Sequence, residues 1–114
     1  MSGAIPERDR ARLRHVAGAC ERALRYVDGE RSALDDERTY DAVLRCLTVV
    51  GEALGALGEE TYARLPSLPP GLPKVQRNLI VHEYWRVDPA VVWATVTLSL
   101  PRLRDDVARV LDDG

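Results

Sequence analysis

The sequence contains no phenylalanine, and tryptophan and tyrosine together supply only 5% of its 114 residues. Any core must therefore be built from leucine, valine and alanine. No apolar run approaches the roughly 18 residues that a membrane-spanning helix needs. The first residues lack the basic start, apolar stretch and small-residue cleavage site of a secretory leader. Both absences predict a cytoplasmic protein with no membrane partner. Cys20 and Cys46 are the two cysteines, far apart and without a C-x-x-C neighbour. Reduced core thiols are expected of them, and two cysteines with two scattered histidines make no zinc pattern.

Neither sign of charge dominates: 16 basic residues face 18 acidic ones, a net of −2. This excludes a non-specific nucleic-acid coat, which needs a basic excess or patch. Any RNA contact must be local. Lys74 is the only lysine, an arginine bias that suits phosphate recognition but follows more simply from genome composition. The sequence also lacks the G-x-x-x-x-G-K-[ST] and G-x-G-x-x-G phosphate loops and the G-x-S-x-G elbow. Its acidic residues form no two-metal cluster near the one promising motif. No cofactor and no metal are expected.

What the chain does have is helical periodicity. From Pro6, the residues Leu13, Val16, Ala17, Cys20, Leu24 and Val27 recur every three or four positions, and Gly29 supplies a stop. Glu30 to Glu37 reads as a connection with room for one short helical turn. Tyr40, Val43, Leu44, Leu47, Val50, Leu54 and Leu57 then form the stripe of a second helix. Gly51 within it predicts a close helix–helix approach, because a mid-helix glycine costs about 1 kcal/mol against alanine. Glu59 to Leu65 has room for a short helix, and the prolines from Pro66 to Pro73 mark the longest loop. Pro73 can open a third long helix. Asp88-Pro89 is a restart signal, a capping carboxylate followed by proline at the first helical position. Val92, Val96, Ser99, Leu103, Val107 and Val110 continue a last helix, which Pro101 should kink or divide. No segment alternates like a half-buried strand. The predicted fold is all-α, an antiparallel bundle of four main helices plus a short one, in a single domain over residues 1–114.

One segment carries chemistry: Arg77-Asn78-Leu79-Ile80-Val81-His82-Glu83-Tyr84. At about 100° per residue, Asn78 and His82 stand one helical turn apart, so the amide can fix the imidazole tautomer. Arg77 and His82 differ by about 140° around the same axis. Either the long arginine reaches around, or a second copy of the chain completes the site across a two-fold axis. Val75, Leu79, Ile80, Val81 and Trp85 cover most of the circumference, which favours burial on two sides, against the bundle and against a partner copy. Such a cleft suits metal-free cleavage of an RNA phosphodiester. Histidine moves the proton of the ribose 2′-hydroxyl or leaving oxygen, and guanidinium stabilises charge on the phosphate. Tyr84 can position a phosphate or stack on a base. On spacing alone, the same residues also fit the capping of carbonyls at a helix edge. His15 and the pairs Asp35-Asp36, Asp105-Asp106 and Asp112-Asp113 read as solvated or helix-end residues. Trp85 and Trp93 read as core or interface aromatics.

The spacing R-x-x-x-x-H-x-Y, with asparagine after the arginine, resembles the signature of the HEPN superfamily. Ordered matches along nearly the whole chain resemble its HepT-like branch: Thr39 to Arg45 running to Val50-Gly51-Glu52-Ala53, the motif followed by Val87-Asp88, and Val92-Trp93 through Leu103. The resemblance implies an endoribonuclease toxin of a toxin–antitoxin pair, independent of metal, cutting transfer or messenger RNA. It implies Arg77 and His82 as catalytic residues with Asn78 in support, in a composite site at a homodimer interface that can join a larger toxin–antitoxin complex. It also implies an antitoxin partner, a minimal nucleotidyltransferase (the MNT or MntA type) that can transfer AMP to Tyr84. A bulky anionic adduct beside His82 would block the cleft and repel RNA. Leu72 to Gln76 depart from the family's usual approach to the arginine, which bears on cleft shape, and Glu83 adds a negative charge beside the site. Two other roles fit the same resemblance: a non-catalytic module that docks a nucleotidyltransferase, and an acceptor of nucleotide transfer with little nuclease activity.

Overall fold

A computed structural model describes residues 4–68 and 88–113, and among these every regular element is helical. Helix α1 spans Glu7–Val27, a 3₁₀ turn covers Arg31–Asp35, and α2 spans Glu37–Ala56. A short α3 follows at Glu59–Ala63. Beyond the segment 69–87, α4 runs from Pro89 to Ala94, a π-helical turn covers Thr95–Ser99, and α5 spans Leu100–Asp113. The motif helix expected from Pro73 falls outside the described residues, so the count of four main helices stays an expectation.

Local chemistry sets these boundaries. Helix α1 ends where Asp28 and Gly29 both take positive φ, 46° and 71°. Glycine adopts that conformation without steric cost, and aspartate is one of the few other residues that tolerate it. The Asp28 N–H closes onto the Leu24 carbonyl at 3.0 Å. Helix α2 opens on Asp36, whose carboxylate accepts from the Thr39 N–H at 2.9 Å and the Thr39 hydroxyl at 2.8 Å. Those two bonds, the backbone one first, hold the Asp36 carboxyl below the ordinary aspartate range. Helix α4 opens as expected, with Asp88 accepting from the Ala90 N–H at 2.9 Å and proline in the first turn.

The interruption expected at Pro101 takes a specific form. Proline offers no N–H and its ring crowds the preceding turn. The helix widens upstream, with the Leu100 N–H reaching the Thr95 carbonyl five residues back. In a turn wound more widely than 3.6 residues, Leu100 comes round to the core. Ser99, expected on the buried stripe, is exposed instead.

The core is made of small aliphatic side chains. Leu13, Val16, Val43, Leu47, Leu57, Val92, Val96 and Val107 are fully buried. Ala17, Leu24, Tyr40 and Leu44, expected on the inner stripes, are only half-buried. Gly51 is buried. Both cysteines are free and buried, and burial pushes the Cys20 thiol up to about 12.

Contacts between helix ends fix an antiparallel arrangement. Arg12, near the start of α1, donates to the carbonyl of Ala56 at the end of α2, at 2.7 Å. Arg10 donates to the Leu111 carbonyl near the end of α5 at 3.2 Å. Its other terminal nitrogen, Nη1, is buried with no hydrogen-bond partner among the described residues, and the carbonyl end of α5 offers it a favourable field. Among the described residues no helix is long and apolar enough to cross a membrane.

Candidate functional site

The four residues on which the motif rests, Arg77, Asn78, His82 and Tyr84, lie outside the described residues. So does Trp85. The structure describes instead the frame on either side of them in the chain: the turn Leu65–Leu68 before and the capped start of α4 after.

The entry turn is held by a buried carboxylate. Asp106, on α5, accepts from the Ser67 N–H at 2.9 Å and from the Ser67 hydroxyl, and Arg109 donates to it at 3.3 Å. Burial alone would raise this carboxyl, but the Ser67 and Arg109 bonds outweigh it and hold it below the ordinary value. Asp106 was expected to be solvated. Its partner lies 39 residues earlier, which is why local sequence gave no sign of it.

A second buried carboxylate, which sequence reasoning missed, sits at the start of α1. Asp9 is 1% exposed. It accepts from the Thr61 hydroxyl at 2.7 Å, the Gly58 N–H at 3.2 Å and Arg12 at 3.3 Å. Here too desolvation is overcome by donors, and the carboxyl lies below its ordinary value. A β-carbon on Gly58 would stand 3.2 Å from the Asp9 Oδ2. This is a structural clasp in which three donors meet one carboxylate.

Between α2, the entry turn and the π turn lies a cavity of about 400 Å³. Its apolar floor is Val50 and Leu54 from α2 with Leu100 and Leu103 from α5. Its polar rim is Ser67, Thr95, Ser99 and Arg102. The Thr95 hydroxyl is spent on the Val91 carbonyl at 2.8 Å. Among the described residues, the side chains of Ser99 and Arg102 make no hydrogen bond or ion pair. Leu98, on the same π turn, is the most exposed large apolar side chain described, at 59%. His15 is exposed, as expected. Among the described residues no three His, Cys, Asp or Glu side chains gather as metal ligands do.

Comparison with known proteins bears on the segment between the two frame pieces. The family model described as Ribonuclease HepT-like matches residues 74–110, which include the whole Arg77–Tyr84 motif, α4 and the π turn. A protein of Methanocaldococcus jannaschii named "Putative RNase" is 29% identical over 72 residues, 63% of this chain and 62% of its own length. "Probable ribonuclease HepT" of Thermococcus cleftensis is 32% identical over 71 residues, 62% of this chain and 64% of its own. A "Putative RNase" of Caldanaerobacter subterraneus is 27% identical over 101 residues, 87% of this chain and 90% of its own. The chain spans less than two thirds of the length of the first two of these relatives. No solved structure matches it. Over residues 74–110 the chain is thus similar to the HepT-like family, and the named relatives support a HepT-like protein of the HEPN superfamily.

Proposed function

We propose that the chain is a metal-independent endoribonuclease, the toxin of a toxin–antitoxin pair acting in the cytoplasm. The observation that carries this reading is that the HepT-like match falls on residues 74–110 and so contains both Arg77 and His82. The names of the relatives, RNases and a ribonuclease HepT, support the activity.

In this reading, His82 takes the proton from a ribose 2′-hydroxyl, whose oxygen attacks the adjacent phosphorus, and the 5′-oxygen of the next nucleotide leaves with a proton returned to it. The products are a 2′,3′-cyclic phosphate and a free 5′-hydroxyl. Arg77 stabilises the charge that builds on the phosphate oxygens. Asn78 fixes the imidazole. A homodimer supplies the arginine and histidine of one site from paired copies. The antitoxin is a minimal nucleotidyltransferase that silences the cleft by transferring AMP to Tyr84.

The test compares wild type with His82→Ala on purified RNA in excess chelator. Cleavage by wild type and a loss of about 100-fold or more in the variant is expected. Cleavage that vanishes with chelation for both would end the metal-free mechanism. Equal inertness of both proteins would move the chain to a docking module without catalysis. Co-expression with a nucleotidyltransferase should add the mass of AMP to wild type but not to Tyr84→Phe.

A further inference from the structure

We infer that the cavity between α2 and the π turn is a nucleotide subsite for the RNA strand, with Arg102 receiving a phosphate and the apolar floor receiving a base. This rests on the ribonuclease reading and adds a binding site to it, built wholly from residues outside the motif.

Three observations carry it. The first is composition: four aliphatic side chains form the floor, and hydroxyls and one guanidinium form the rim. A flat base has apolar faces and polar edges, and ligand pockets combine the same two kinds of surface. The second is unspent bonding capacity. Two of the four polar groups on the rim are committed, Ser67 to Asp106 and Thr95 to Val91. Arg102 and Ser99 are not committed to any partner among the described residues. In a chain of net charge −2, an uncommitted guanidinium on a concave surface complements an anion. The third is position in the chain. The cavity is walled by the turn that precedes residues 69–87 and by the π turn that follows them, so its two sides flank the segment bearing the motif. π turns in α-helices occur often at functional sites.

A fluorescent single-stranded 2′-O-methyl RNA decamer tests this, because its blocked 2′-oxygen cannot attack. Arg102→Ala should weaken binding about 10-fold, the loss of one charge-assisted hydrogen bond. The slope of log affinity against log salt should fall by about 0.7, one phosphate contact on a single strand. Arg102→Lys should restore the slope. Ser99→Trp, which fills the cavity from its rim, should weaken binding and leave the slope unchanged. Both Arg102→Ala and Ser99→Trp should melt with wild type, since both positions are exposed. On cleavable RNA, Arg102→Ala should raise KM about 10-fold and spare kcat.

Decamer affinity unchanged in both variants, or no decamer binding by wild type, would overturn the subsite. If RNA is still cut and His82→Ala abolishes cutting, the ribonuclease reading survives that failure. If wild type cuts no RNA while decamer binding depends on Arg102 and Ser99, the subsite stands as an RNA-binding site and the ribonuclease reading falls.

Discussion

The two buried carboxylates of this bundle stand in contrasting company. Asp9 closes a corner by accepting from three donors: the Thr61 hydroxyl, the Gly58 N–H and the Arg12 guanidinium, which also caps the last carbonyl of α2. Asp106 pins the entry turn through Ser67, yet Ser99 and Arg102 line a neighbouring cavity with side chains that have no partner among the described residues. At these two corners the carboxylates that serve stability are paired inside the fold. Polar groups left unpaired on a concave wall are available to something outside it.

The contrast can be broken by substitution. Asp9→Ala strands three donors at once, and a loss of about 3 kcal/mol in urea denaturation is expected. Acid sharpens the same point. The Asp9 and Asp106 carboxyls are held below their ordinary range when folded, so the stability they contribute is complete above the unfolded value, near pH 4. It drains away as pH falls from there through the folded values. The acid limb of wild type should therefore be steeper than that of Asp9→Asn, measured by circular dichroism below about pH 4. Asp106→Ala should cost less than Asp9→Ala, about 1.5 kcal/mol, because its partner Ser67 is exposed and Arg109 is half solvated. A cost as large as at Asp9 would erase the distinction between the two corners. Smallest of all should be Arg102→Ala, within about 0.5 kcal/mol in the same assay. A large loss there would mean that its guanidinium serves the fold.

Much of the frame was legible because it is written in neighbouring residues. Gly29 ends α1, a 3₁₀ turn fills the Glu30–Glu37 connection, and Asp88-Pro89 opens α4. Pro101 announced a break in the last helix, but not that the break would be a π turn carrying Leu100 inward and Ser99 outward. That outcome depends on which carbonyl the Leu100 N–H finds. The two carboxylate clasps were illegible because their partners lie 39 to 52 residues away. Asp106 looked like one of several acidic pairs, and nothing in the local sequence singled out Asp9. The motif itself was the most legible chemistry in the chain, and its spacing with the adjacent asparagine led to the same family as the comparisons. Its residues lie outside those described, so their roles rest on sequence and on the experiments proposed.

The sealing of both thiols between α1 and α2 has a practical consequence. Maleimide reagents need a thiol they can reach, and Cys20 and Cys46 are both buried in the native protein. A cysteine introduced at Ser99 would thus be the sole labelled position without any need to remove the natural pair. A dye there would report directly on whatever enters the hollow beneath it.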